Sequence, residues 1–129
     1  MMFIIKPITD KATQKEYCKL CNIPYIQHAM AYEAQLNESF GGICQFELKK
    51  EFGVIHNLCP APGIDDFEMM FIMGRATMNF IDMCELHTCV ASASSADCRL
   101  LTAIGFKLQP DGSYAVDMHG MFDGKCGNH

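Results

Sequence analysis

Two short motifs near the ends of the chain have the spacing of zinc ligands. Cys18 and Cys21 are separated by two residues, and Cys126 precedes His129 by the same interval. Thiolates and imidazoles are ligands that zinc prefers, so the four donors together would make a tetrahedral site. The alternative is that the first pair packs at the end of a helix and the second lies in a polar tail. We favour this second interpretation and expect no metal.

A second group of residues has the types needed for nucleophilic or acid–base catalysis. His87 and Cys89 are two apart, so on a strand they share one face, where an imidazole can deprotonate a thiol. No third residue that would orient the imidazole is evident, and a cysteine in a central strand is usually a small core residue. Glu33 and Glu47 would act together as acid and base, or are ordinary charges on a solvated strand face. We favour the structural interpretation of both pairs.

The elements that must position these residues are predicted from hydrophobic periodicity and turn residues. Apolar and β-branched runs predict strands over residues 3–8, 29–36, 43–48, 54–59, 88–91, 106–108 and 114–118. Helix-forming segments predict helices over residues 10–20, 65–86 and 96–104, the last capped by Ser94 and Ser95 and ended by Gly105. Residues 1–129 are therefore expected to form one domain, with a polar tail over residues 123–129.

The bulk properties exclude several classes of partner. Half of the 129 residues are hydrophobic, and the formal net charge is −5 without a basic cluster. Neither nucleic acid nor an anionic membrane is therefore an expected partner. Eight cysteines are scattered through a core-forming sequence, which favours reduced thiols and a cytoplasmic location. Methionines at several angles of the long helix predict a buried helix, or an apolar face that a homodimer would cover.

Three segments of the sequence resemble the GNAT (acyl-CoA N-acyltransferase) superfamily. Residues 42–48, GICQFEL, are similar to its third strand, and residues 54–60, VIHNLCP, are similar to its fourth strand with the usual closing proline. Residues 100–106, LLTAIGF, are similar to its helix-to-strand element ending in Leu-Gly-Phe. The resemblance implies an α/β (α+β) fold with a mixed, mostly antiparallel sheet of about seven strands. Helices would cover both faces, and strands four and five would splay apart.

The same resemblance implies a binding site for acetyl-CoA or CoA in the splayed gap. The backbone at Leu58 and Cys59 would polarise the thioester, and the loop at the start of the long helix would hold the pyrophosphate. The cofactor-binding residues implied are Leu58, Cys59, Pro60, Gly63, Ile64 and Asp65.

That loop departs from the family pattern. Glycines are absent at the positions where the loop needs them to let a phosphate approach the backbone, and the family's arginine is missing too. The carboxylates of Asp65, Asp66 and Glu68 crowd the helix start instead, where they would repel an anion. We interpret them as helix caps, and the loop as degraded.

The catalytic residues implied are weak matches. Leu101 stands where many family members have the tyrosine that protonates the departing thiolate, so Tyr114 is the substitute candidate. His56 is the nearest titratable residue on the fourth strand and is the candidate base; the alternative is a solvent-exposed or structurally satisfied histidine.

Two functions from different classes follow. The first is an acetyl-CoA-dependent N-acyltransferase-like protein that acts on a small-molecule or peptide amine. The second is a non-catalytic module that binds a small ligand or a protein partner in the splayed cleft. The missing glycines and tyrosine favour the second function.

Overall fold

A computed structural model describes residues 2–123, and this part of the chain contains seven strands and three helices. The elements in chain order are β1 (Phe3–Pro7), α1 (Lys11–Cys21), β2 (Met30–Leu36), β3 (Ser39–Leu48), β4 (Gly53–Pro60), α2 (Phe67–Met83), β5 (Thr88–Ala91), α3 (Cys98–Ile104), β6 (Lys107–Leu108) and β7 (Tyr114–Asp117). No helix in this range has the length and hydropathy of a membrane span. Of the predicted tail over residues 123–129, all but Asp123 lies outside the described residues.

The strands form one sheet in the order β1-β2-β3-β4-β5-β7-β6, and every pair is antiparallel except β4 with β5. The parallel pairing is short. It joins Gly53 to Cys89 and ends where Ile55 lies opposite Ala91, whereas β4 continues to Pro60. The last five residues of β4 therefore have no partner strand on that side. The predicted mixed sheet with a gap between its fourth and fifth strands is confirmed.

Helices cover both faces of the sheet, as predicted. α2 and α3 lie over the main core, to which the buried side chains of Met73, Ile81 and Leu101 belong. α1 lies on the opposite face, where Cys18 packs with Ala31 and Ile43. The two faces differ in character, because the α2–α3 face is almost wholly apolar, whereas the α1 face carries buried polar residues.

The predicted boundaries of two helices are wrong. The long helix begins at Phe67 rather than at residue 65, because Asp66 adopts extended backbone angles and its side chain accepts from the N–H of Met69. It ends at Met83, not at residue 86. Ser94 and Ser95 do not cap α3, whose N-cap is Asp97. Serine and aspartate both satisfy unpaired N–H groups at a helix start, so the sequence offers both choices.

Candidate active site at the splayed strands

A β-bulge on β4 decides where His56 points. Gln45 lies opposite Asn57, but the next residue, Phe46, lies opposite Ile55, so His56 is an extra residue without a partner on β3. A bulge breaks the alternation of side chains along the strand. His56 and Asn57 therefore both face α1, where they contact Glu47 and Gln45 respectively.

His56 is held by the carboxylate of Glu47. The distance from His56 Nε2 to Glu47 Oε1 is 2.7 Å, and the His56 side chain is 26% exposed. A neutral imidazole that donates Nε2–H to a carboxylate keeps the lone pair on Nδ1. His56 is also the first residue of β4 beyond the last pair with β5. A basic nitrogen therefore lies at the root of the gap, on the α1 face of the sheet.

Glu47 binds two further basic groups. Its Oε2 lies 2.9 Å from Nε2 of His28, which is largely exposed, and its Oε1 lies 3.1 Å from Nζ of Lys49. Burial raises the pKa of Glu47, but hydrogen bonds from His56 and Lys49 and the charges of His28 and Lys49 outweigh it and hold that pKa below its usual range. Glu47 is therefore a carboxylate at neutral pH.

Glu33, the other predicted carboxylate, lies elsewhere. It is on β2 and accepts from the side-chain amide of Gln35 at 3.0 Å and from the hydroxyl of Tyr17 at 3.4 Å. Both glutamates are buried, so the interpretation as a solvated strand face does not describe either.

A buried amide network next to the imidazole fixes the wall of the cleft. Gln45 is fully buried, and its Oε1 accepts from Gln14 Nε2 at 2.9 Å and from the N–H of Ile26 at 3.1 Å. Its amide nitrogen donates to the carbonyl of Pro24 at 2.8 Å and to Asn57 Oδ1. The loop after α1 is thereby tied to the centre of the sheet. Sequence reasoning missed this network, because polar residues alternating along a strand also indicate a solvent-exposed face.

The unpaired end of β4 is closed by a turn that follows β5. Leu58, predicted as a backbone donor to a thioester, is buried, and its N–H donates to the carbonyl of Ser95 at 2.8 Å. Ser95 is held by its own bonds to the carbonyl of Ser92, 3.1 Å from its N–H and 2.7 Å from its hydroxyl. Because successive N–H groups of a strand point to opposite sides, that of Cys59 points towards β3. A ligand that uses Leu58 must replace Ser95.

The loop from β4 to α2 forms a shallow pocket of about 100 Å³. The N–H of Ala61 donates to Gly41, and that of Ile64 closes a turn onto Ala61, with Gly63 at φ 81° between them. Of the predicted cofactor-binding residues, Pro60, Ile64 and Asp65 line this pocket, whereas Gly63 lies on the turn that leads into it. The full lining is Pro60, Ile64, Asp65, Asp66, Phe67, Met70, Asp97, Arg99 and Leu100.

This pocket does not fit a pyrophosphate. At the start of α2 an anion is already present, because the Asp66 carboxylate accepts from Met69 N–H at 3.0 Å. Asp65 and Asp97 add two more carboxylates to the lining, and the cation among the lining residues, Arg99, is paired with Asp97 at 3.1 Å. The Arg99 hydrogen bond in turn lowers the pKa of Asp97. The interpretation of the acidic residues as helix caps holds for Asp66. Asp65 instead adds a negative charge to the lining of the pocket.

Tyr114 does not lie near His56. It lies on β7 opposite Ala91 and packs with the main core on the α2–α3 face, where it is 8% exposed. Leu101, which stands at the family's tyrosine position, is fully buried in the same core. The two catalytic candidates thus lie on opposite faces of the sheet.

The remaining candidates separate in the structure. Burial raises the pKa of Cys89 to about 12, which makes its thiol inert, and His87 instead pairs with Asp82 at 2.6 Å. Of the zinc motif, Cys126 and His129 lie outside the described residues. Within residues 2–123 no group of three or more metal-binding side chains converges.

Comparison with known proteins identifies the fold. No protein-family model matches the sequence, and no curated protein does either. Among solved structures, the chain is similar to an IAA acetyltransferase from Bacillus cereus at 15% identity and a TM-score of 0.74, over 90% of this chain and 99% of that one. It is similar to the ribosomal-protein-S18-alanine N-acetyltransferase from Escherichia coli at 12% identity and a TM-score of 0.70, over 91% and 94%. It is also similar to PaiA N-acetyltransferase from Thermoplasma acidophilum in complex with coenzyme A, at 9% identity and a TM-score of 0.71, over 91% and 99%. The chain therefore has the GNAT fold.

Proposed function

We propose that this protein transfers an acyl group from a thioester to the amine of a small molecule or peptide. The observation that carries the proposal is the imidazole–carboxylate pair of His56 and Glu47 at the root of the splayed strands. The GNAT fold supports it, because solved neighbours with this fold are acetyltransferases. An amine must lose a proton to become a nucleophile, and a positioned histidine is a common general base at neutral pH.

His56 and Glu47 have distinct roles in this proposal. Nδ1 of His56 accepts the proton of the attacking amine, while Nε2 remains bonded to Glu47. Glu47 is a positioning residue that fixes the tautomer and stabilises the imidazolium as it forms. A bound acyl thioester supplies the electrophilic carbonyl. No acid equivalent to the missing tyrosine is assigned, because a thiolate is a stable leaving group near neutral pH.

The donor is held chiefly by its thioester end. In the proposal, the arm of acetyl-CoA or of a shorter thioester lies along residues 56–60, where β4 has no partner strand. The carbonyl of Ser95 is then exchanged for a carbonyl of the donor at Leu58. The acidic pocket beyond Pro60 contributes no phosphate binding.

The test is acyl transfer to a panel of amines, with acetyl-CoA and the short thioester S-acetyl-N-acetylcysteamine as donors and product detection by mass spectrometry. We expect His56→Gln to lower the rate by about 100-fold or more, the usual range for a general base, and Glu47→Gln to shift the pH profile as well. His119→Gln is the matched control, because His119 is exposed and pairs with Asp117 away from β4. Activity that His56→Gln leaves unchanged would refute the proposal.

A second candidate function is a non-catalytic module that binds a small ligand or a protein partner in the cleft. It is favoured by the bond from Leu58 to Ser95 and by the carboxylate cap at Asp66. These two contacts close both ends of the donor side, the stretch from Leu58 to Asp66 along which an acyl donor would lie. Calorimetric titration with acetyl-CoA and the short thioester separates the two candidates. Binding of either donor supports acyl transfer, whereas no heat with both donors and no turnover support the module.

A further inference from the structure

Two cysteine side chains meet where α1 ends beside β4. Cys21 is the last residue of α1, and Cys59 is the penultimate residue of β4. Their sulfur atoms lie 3.6 Å and 3.5 Å from the same oxygen, the carbonyl of Pro60, to which each thiol is placed to donate. Both side chains are partly exposed, whereas neighbouring Cys18 is buried. A small reagent can therefore reach this pair.

The two thiols differ in acidity. The proximity of the two thiols lowers the pKa of Cys59 and raises that of Cys21. Cys59 is therefore the more acidic thiol of the pair and forms a thiolate more readily than Cys21. Two buried cysteines provide the contrast, because burial raises the pKa of Cys44 and Cys89 to about 12. Reactive thiols are those that combine thiolate character with access.

We propose that Cys21 and Cys59 are a redox-active dithiol that exchanges with small-molecule disulfides such as oxidised glutathione. The Cys59 thiolate attacks one sulfur of the reagent, its S–S bond breaks, and one glutathione thiolate leaves and takes up a proton. Cys21 then loses its proton to solvent and attacks Cys59 Sγ, which releases the second glutathione. The protein loses two hydrogen atoms and forms one disulfide, and one molecule of oxidised glutathione is reduced to two thiols.

The disulfide would connect two parts of the cleft. It ties the C-terminal end of α1 to the end of β4 that has no partner strand. The loop after α1 is already fixed to the sheet through Gln45, so the crosslink reinforces an arrangement that exists rather than imposing a new one. The inference rests on the position, exposure and relative acidity of the two thiols and does not depend on the proposed acyl transfer.

The experiment exposes the purified full chain to oxidised glutathione at neutral pH and maps the products by peptide mass spectrometry. We expect the protein to lose the mass of two hydrogen atoms, with the peptides of Cys21 and Cys59 crosslinked. Cys21→Ser should instead accumulate one glutathione on Cys59, because the resolving thiol is gone, and Cys59→Ser should form neither product. Cys98 is the internal reference, because it is exposed. We expect Cys59 to react at least about five times faster than Cys98.

Three outcomes would overturn the proposal. They are a mixed disulfide on Cys59 that persists in the unmodified sequence, a crosslink from Cys59 to Cys18 that Cys18→Ser abolishes, and a rate at Cys59 no higher than at Cys98. Thermal melting of each variant reports whether it is folded. If Cys21→Ser does not fold, Cys21→Ala takes its place, and the crosslink map of the unmodified sequence decides the assignment by itself.

Discussion

Neutralising the acidic pocket at the start of α2 should make the protein prefer CoA over donors without phosphate. The pocket is lined by three carboxylates and one guanidinium, and the guanidinium of Arg99 is already paired with Asp97. The perturbation is Asp65→Asn together with Asp66→Asn. Asparagine caps helices as well as aspartate does, so the N–H of Met69 keeps its acceptor and the fold is retained.

The expected gain follows from Coulomb's law. Two like charges about 4 Å apart in water repel by about 1 kcal/mol, so each carboxylate replaced should tighten CoA binding by about 5-fold and the pair by about 30-fold. Arg99 stays paired with Asp97 in this variant, but loss of the Asp65 charge, which also acts on Arg99, leaves more of the guanidinium charge to attract a phosphate. Arg99→Ala in the double variant should therefore reverse part of the gain. Binding of pantetheine should not change in any of these variants.

The assay is isothermal calorimetry with CoA and with pantetheine, at low and at high salt, because exposed charge effects are screened by salt. Glu51→Gln is the matched control: it removes one exposed carboxylate in the turn between β3 and β4, far from the pocket. The reasoning is refuted if the double variant binds CoA no better, relative to pantetheine, than the unmodified protein does. It is also refuted if Glu51→Gln gives an equal gain, since the effect would then be one of net charge.

Three further predictions concern stability, each measured by urea unfolding. Gly53→Ala should cost about 1–3 kcal/mol, because its new Cβ would lie 2.5 Å from Cγ2 of Ile81; an unchanged midpoint would show that Ile81 moves freely. Glu47→Gln should lower the free energy of unfolding at neutral pH and leave it unchanged in acid, relative to the unmodified protein. The folded pKa of Glu47 is lowered, so its contribution is present above the unfolded value of about 4.5 and is lost as pH falls through the folded pKa; a constant difference across pH would contradict this. His87→Gln should show the opposite trend. Hydrogen bonding to Asp82 raises the pKa of His87, so its contribution is complete below the unfolded value of about 6.5 and is lost as pH rises through the folded pKa; a loss on acidification would contradict the assignment.

The sequence predicts the sheet well because its strands have strong periodic signals. The alternation from Ile43 to Leu48 and the apolar run that ends at Pro60 fix β3 and β4 within a few residues of their observed limits. Helix starts are less predictable, because capping residues cluster. Asp65 and Asp66 compete at one helix, and Ser95 and Asp97 at another, and only backbone angles decide between them.

The candidate site is less predictable than the fold because it depends on one irregularity. Strict alternation cannot say which face His56 occupies, and the β4 bulge that turns it towards α1 is a difference in register between two strands, which no local pattern reveals. Its neighbours are also distant in sequence. His28 reaches Glu47 from the loop after α1, so the charge cluster exists only once that loop is tied to Gln45.

The two contacts that close the donor side differ in how readily a ligand replaces them. The bond from Leu58 N–H to the Ser95 carbonyl is a neutral amide bond; a donor carbonyl at the same N–H exchanges one such bond for another, at a net cost of about 1 kcal/mol or less. The Asp66 carboxylate is different, because displacing it uncaps α2 and leaves its charge beside the incoming phosphate. In the proposed function, a thioester arm therefore enters the gap between β4 and β5, while a pyrophosphate is kept out of the loop. This asymmetry is why a comparison of CoA with pantetheine tests the donor side more sharply than any measurement with CoA alone.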